Sequence, residues 1–435
     1  MIKLALEIGL ILLILFLFLL ILGVPIAISL AIPTIVTMLT LYPFEVTAFT
    51  ATQSLFNSIA SFTLIAIPFF VMSGVIMSHG GISQRLINFA KVLIMQLPGS
   101  LAHANVVGNM LFGAISGSAV ASAASIGGVM NPQQEKEGYD KEFSASVNIS
   151  SAPTGLLIPP SNTLILFSLV SGGTSIAALF AAGYIPGILW GLGVMLVAYF
   201  IAKKKKYPVS GKISLKEGLK VFIEAIPSLL LIVIVIGGII FGIFTPTEAA
   251  AIAVLYSFIL MLRYRAFSLK KVPIILKETI NVTGVIMFLI GASSMIIHIL
   301  TVAGIPAAIT NSILSITDNK IIIILIILSI LIFVGTFMDV APAVLIFTPI
   351  FLPIVQSFGM DVVHFGIIIV FSMCIGSITP PVGTILFVGA SIAKVKIEQL
   401  IKPMLPFYAI IILVLLVVAF IPQLSLFIPK LLGLM

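Results

Sequence analysis

PTGLLIPPSNT at residues 153–163 and CIGSITPPVGT at residues 374–384 each place a Pro-Pro pair inside an otherwise apolar run. Proline lacks a backbone donor and its ring disrupts the helical bonding behind it, so each stretch breaks a span. The two breaks lie 221 residues apart, Pro160 to Pro381, and the same offset joins Pro25 to Pro246; Gly113 precedes Gly335 by 222. Paired Gly/Pro-interrupted apolar segments in two halves of a chain point to a secondary transporter with an internal repeat. The binding site of such a protein is expected where the backbone is freed from its own helix.

Composition agrees. The 435 residues are 60% hydrophobic and only 8% charged, against roughly 25% charged for an ordinary soluble domain. The net charge of +8 resides in short loops between apolar runs, the pattern of membrane orientation and not of nucleic-acid binding. Cys374 is the single cysteine, which excludes an internal disulfide and any multi-cysteine metal site. The first apolar run, Leu4 to Leu22, is long enough to span and has no small-residue cleavage site before Gly23-Val24-Pro25, so no cleavable signal peptide is expected.

The fold class expected is an all-α polytopic membrane protein, an inverted repeat of five spans plus one re-entrant hairpin per half. The first repeat covers residues 1–202, with spans at 4–22, 25–42, 62–78 and 175–202 and a broken span at 143–171. A basic cytoplasmic linker, 203–224, follows. The second repeat, 225–435, has spans at 226–243, 247–262, 281–300 and 403–421 and a broken span at 364–391. Segments 45–60 and 82–97 are of mixed polarity and read as interfacial or arm helices. Segments 99–130 and 321–355 are too long for one helix and too short for two spans. From Pro98 to Gly113 is about 22 Å of helix against a hydrocarbon core of about 30 Å, so each reads as a hairpin turning near mid-membrane.

With KKKK at 203–206 in the cytoplasm, 19 of the 22 Lys and Arg fall on that side; only Lys3, Lys320 and Lys430 do not. A one-span error would scatter them. Five spans per half is an odd number, so the repeat inverts and both termini are expected in the periplasm.

Residues 113–128, GAISGSAVASAASIGG, hold 13 Gly, Ala or Ser in 16. Close helix packing explains such a run. Its Ser116-Gly117-Ser118 also falls at the calculated turning point, where hydroxyl and carbonyl oxygens become available, and both readings can hold together. At the first break, Pro159-Pro160-Ser161-Asn162-Thr163, the freed carbonyls of 155–158 suit a small hard cation, and the half-helix that follows favours a carboxylate at its N-terminus. Ser161, Asn162 and Thr163 would supply ligands or caps; the alternative is a kink that only shapes the helix. The second break keeps the prolines, Gly383 and Thr384 but lacks the Ser-Asn pair. In the second hairpin, Gly335-Thr336-Phe337-Met338-Asp339, Asp339 stands where the first hairpin carries Gly117. A carboxylate with no Lys or Arg for 18 residues on either side is costly in a membrane unless paired, protonated or metal-bound. It reads as a cation or proton site, or as a structural cap. Thr245-Pro246-Thr247-Glu248 fits a capping box with proline at the first helical position. The histidines show no metal-ligand spacing, and no hydrolase or nucleotide-binding motif is present, so the chain is not expected to be an enzyme.

Taken together, GVPIAISL (23–30), GNMLFGAISGSAVASAASIGGVMNP (108–132), GLLIPPSN (155–162), TPTEAAA (245–251), GTFMDVAPAVLIFTPIFLP (335–353) and ITPPVGT (378–384) resemble the large membrane subunit of tripartite ATP-independent periplasmic (TRAP) transporters. The likeness covers essentially the whole chain. It implies a bacterial inner-membrane protein that imports an organic acid anion with sodium (Na+) by an elevator movement of a transport bundle past a scaffold. It also implies two partners, a small membrane subunit, expected here as a separate polypeptide, and a periplasmic substrate-binding protein. The overall likeness points first to sialic acid and second to C4-dicarboxylates. Sodium would sit at Ser116, Gly117 and Ser118 with Pro159 and Asn162, and at Asp339 with Gly376, Thr379 and Gly383. The substrate would lie between, near Asn148, Ser161, Thr163 and Thr384. A stand-alone anion exchanger is the competing transport reading, and a membrane-embedded enzyme a distant one.

Overall fold

A computed structural model describes residues 2–209, 214–317 and 319–435; Lys212 of the basic linker lies outside the described residues. These form helices and no strand. The first half runs α1 (Ile2–Ile21), α2 (Ile26–Leu41), α3 (Phe44–Ile59), α4 (Ala66–His79), α5 (Ile82–Ile94), α6 (Ser100–Ser116), α7 (Ala119–Lys136), α8 (Lys141–Ser151), α9 (Thr154–Leu157), α10 (Asn162–Val170) and α11 (Ile176–Lys205). The second runs α12 (Leu215–Ile240), α13 (Pro246–Arg263), α14 (Val272–Val302), α15 (Ile305–Ile316), α16 (Lys320–Gly335), α17 (Val340–Ser357), α18 (Val362–Ser377), α19 (Thr384–Ala393), α20 (Ile397–Phe420) and α21 (Gln423–Leu431).

Among the described residues seven helices are long and apolar enough to cross a bilayer, and α8–α9 with α10 makes an eighth as a pair bent by 48° at the first proline break. The expected spans 4–22, 25–42 and 364–391 correspond to shorter apolar helices, α1, α2 and the α18–α19 pair. Two boundaries differ from expectation. The arm α17 runs 18 residues and is long enough to cross by itself. The span expected at 281–300 is a 31-residue helix that begins at Val272, because Lys277 and Glu278 lie on turns open to water and do not end it.

Both hairpins and both broken spans gather into one bundle, and they interlock across the halves. Hairpin arm α7 packs on α19, and α17 packs on α10, so each hairpin holds the second arm of the other half's break. Every residue from Phe143 to Ser151 of α8 and from Val363 to Ser377 of α18 is buried. That burial is what permits irregular backbone at membrane depth, where unpaired peptide groups are otherwise prohibitive. The flanking helices expose apolar side chains instead, such as Leu192, Leu196 and Phe200 of α11. Helices α4 and α13 cross with a buried Ser73–Ser257 hydroxyl contact of 2.9 Å, and α2 and α3 lie along α14.

Two glycine contacts set the bundle's internal spacing. A Cβ on Gly155 would lie 2.2 Å from the backbone of Gly113, and one on Gly376 would lie 2.4 Å from that of Gly335. In each half the entering hairpin helix therefore meets the first arm of its break backbone to backbone, as small residues allow in membranes.

Candidate functional site

The first hairpin turns where expected. Helix α6 ends at Ser116, Gly117 adopts φ 61°, and Ser118 caps α7 by accepting from Ala121 N at 3.2 Å. Gly117 is needed twice over. Its left-handed backbone favours glycine, and a Cβ there would meet Asn162 Nδ2 at 2.8 Å. That approach joins the hairpin tip to the first break. Ser161 caps α10, donating to Leu156 O and accepting from Leu164 N.

The second hairpin and second break are tied differently. Gly383, at φ 45°, donates from its N–H to Thr336 O at 2.8 Å, and Thr379 Oγ1 donates to Ile375 O at 2.7 Å. Both breaks contain a cis Pro-Pro peptide bond, Pro159-Pro160 and Pro380-Pro381. Asp339 occupies the N-cap of α17 without closing a side-chain capping bond. Its counterpart is therefore Ser118, the N-cap of α7, not Gly117. The one-residue difference arises because five positions separate Gly113 from Ser118 and four separate Gly335 from Asp339. Asp339 is exposed to the cavity described next, with the Thr384 hydroxyl beside it.

A cavity of about 660 Å³ lies between bundle and flanking helices. It collects Ser116, Gly117 and Ser118 from the first hairpin, Asn162 and Thr163 from the first break, and Asp339 from the second hairpin. The opposite wall comes from α4 (Val71, Gly74, Val75, Ser78) and α14 (Glu278, Asn281, Val282, Val285, Ile286). Among the described residues no lysine or arginine lines it, and the greater part of its wall is apolar. Where the bundle touches α4, a Cβ on Gly74 would come within 2.9 Å of Ser116 Cα.

Other expected site residues stand behind this wall. Asn148 is fully buried, its Nδ2 donating to Ala123 O at 2.9 Å and its Oδ1 accepting from Asn109 Nδ2 at 3.0 Å, so its amide braces the hairpin and does not line this cavity. Around it, Asn109 also reaches Asn105 and Ser151, and Ser122 donates to Asn109 Oδ1 at 2.8 Å. Pro159, Ser161, Gly376, Thr379, Gly383 and Thr384 shape the two breaks and do not line the cavity. Thr245 and Glu248 form the capping box read from the sequence: Thr245 N donates to Glu248 Oε2 at 2.8 Å and Glu248 N to Thr245 Oγ1 at 3.3 Å.

Sequence reasoning missed the Asn109 network and the wall residues Ser78, Glu278 and Asn281. The 105/109 spacing of two asparagines on one helix face was a signal for the first. None existed for the second, since Glu278 lies outside the apolar run that marks the span.

Helix-lined, with two broken spans and a cavity shared by the hairpin bundle and its surround, the chain has the architecture of a membrane transporter. The family model of the tripartite ATP-independent periplasmic transporter DctM component matches residues 13–424, and the chain belongs to that family of secondary transporters for organic acids. It is 55% identical over 87% of both chains to the uncharacterized protein YgiK of Salmonella typhimurium. It is 39% identical to the C4-dicarboxylate TRAP transporter large permease protein DctM of Pseudomonas aeruginosa, over 87% of this chain and 89% of that one. To the sialic acid TRAP transporter large permease protein SiaM of Vibrio cholerae it is 38% identical, over 88% and 89%. Among solved structures, the YdaH transporter of Alcanivorax borkumensis shares the fold, with a TM-score of 0.53 at 12% identity over 82% of this chain and 86% of that one.

Proposed function

We propose that this chain imports an organic acid anion together with sodium, carrying both in the hairpin bundle past α4 and α14, after delivery by a periplasmic binding protein and in company with a small membrane subunit. The observation that carries this reading is the charge of the cavity wall: Asp339 and Glu278 are present and no Lys or Arg is. A bare anion would meet no compensating charge at a depth where charge is expensive. A co-bound cation supplies it, held by hairpin-tip and break oxygens around 116–118 with Asn162, and around Asp339 with Thr384. The N-terminus of α10 adds a favourable dipole end for the carboxylate. Substrate and sodium then raise each other's affinity by the same factor.

Orientation follows from the lysines and arginines. The cavity abuts the halves of α4 and α14 nearest the basic segment 263–277, which the positive-inside rule places in the cytoplasm. This arrangement supports an inward-facing state with both termini in the periplasm.

Relatives bear names that specify sialic acid and C4-dicarboxylates, and we take these as first and second candidates in that order. A thermal-shift screen of the partner binding protein against organic acids identifies the substrate. Uptake into proteoliposomes holding the complete transporter, with potassium replacing sodium, then tests coupling. Sodium-dependent uptake is expected; undiminished uptake in potassium refutes it. Uptake by this chain and its small subunit without the binding protein would favour a stand-alone exchanger.

A further inference from the structure

Among the described residues, Glu278 is the one charged residue on the flanking-helix wall of the cavity, and Asp339 is the one charged residue on the bundle wall. The Glu278 carboxylate is half exposed, and Oε2 lies 3.0 Å from His79 Nε2, a contact that holds it in place at the cavity wall. Lys271 Nζ donates to the carbonyls of His79 and Ala266, and among the described residues no lysine or arginine forms an ion pair with Glu278. The other halves of the same two helices carry no Asp, Glu, Lys or Arg, AIPFFV at 66–71 and MFLIGASSMIIHILTV at 287–302. A bundle moved toward those halves leaves Glu278 behind.

We propose that Glu278 is a coupling residue: a fixed carboxylate that the bundle meets only in the inward-facing state, and that penalises that state whenever Asp339 lacks its cation. Sodium on Asp339 lifts the penalty, so the loaded bundle settles inward. Once sodium leaves, like-charge repulsion favours the return of the empty bundle. The inference rests on the sodium-coupled, inward-facing reading above. A sphere of the cavity's volume is about 11 Å across. Two carboxylates at that separation in a wet cavity of effective dielectric ~40–50 repel enough to shift an equilibrium roughly three- to fourfold.

The test needs only sodium as probe. Val120, at the cavity wall and 36% exposed, is replaced by cysteine in the full chain, in which Cys374 is buried. Labelling by a membrane-impermeant maleimide is followed in everted vesicles at pH 8, with sodium chloride or potassium chloride at equal ionic strength. Sodium is expected to raise labelling from the cytoplasmic face. Glu278→Gln should raise the rate in potassium and shrink the sodium-to-potassium ratio roughly three- to fourfold. Adding Asn281→Asp, one turn along the same wall, should restore the ratio, a rescue that no merely structural role provides. An unchanged ratio in Glu278→Gln overturns the proposal while leaving sodium coupling intact. A ratio of one with Glu278 present overturns the sodium reading itself, and this proposal with it.

Discussion

Replacing Gly155 with alanine puts a methyl group 2.2 Å from the Cα and carbonyl carbon of Gly113. Both obstructing atoms are backbone, held in α6 by its own helix and by the Asn109–Asn148 link at 3.0 Å, so no flexible side chain can yield. The two elements must separate by more than 1 Å to restore ordinary contact near 3.5–4 Å. Overpacking of a close-packed core costs about 1–3 kcal/mol and sometimes more; backbone against backbone belongs at or above the top of that range. A melting temperature at least about 5 °C lower is expected, on the scale of about 2 °C per kcal/mol for large chains. The contact distances order the whole set: Gly155→Ala worst at 2.2 Å, then Gly376→Ala at 2.4 Å, Gly113→Ala at 2.8 Å and Gly335→Ala at 2.9 Å. Gly128→Ala is the control, since nothing lies within 4 Å of its Cβ and alanine favours a helix by about 0.5–1 kcal/mol over glycine. Fluorescence-detected melting in detergent measures all five. Gly155→Ala melting no lower than Gly128→Ala would refute the backbone contact and, with it, the packing of hairpin on break.

Asp339→Asn should abolish the response of thermal stability or uptake to sodium while expression persists, whereas Glu248→Gln, which trades the carboxylate of an exposed capping box for an amide that can still accept from Thr245 N, should lower stability only slightly and leave the sodium response intact. Equal, mild effects from the two would count against Asp339 as the cation site. Asn109→Leu removes the partner of Asn105, Asn148, Ser122 and Ser151 together and should destabilise by about 2–4 kcal/mol, since each buried polar group left unpaired costs about 1–3 kcal/mol. Native-like melting of that variant would mean that the network does not brace the hairpin.

Much of the site was legible because membrane chains write their exceptions plainly. A proline pair in an apolar run, a Gly-Ser tip and a lone Asp339 can only persist at depth where the protein encloses them. The 221-residue offset even carried the glycine contacts, since Gly113 and Gly335 repeat at 222 and Gly155 and Gly376 at 221. Asn148 misled for a physical reason. A polar side chain beside a broken span reads as a ligand, yet here the neighbouring helix supplies a second asparagine that takes up its amide.

The order of elements, the two breaks, the acidic tip and the scarcity of fixed cations were determined by residue chemistry along the chain, because hydrocarbon imposes one rule on every position. Which half's hairpin clasps which half's broken arm, and that Glu278 faces Asp339 across one cavity, were decided only in three dimensions. Those pairings join residues far apart in sequence through shape and distance, and no local pattern of polarity encodes them.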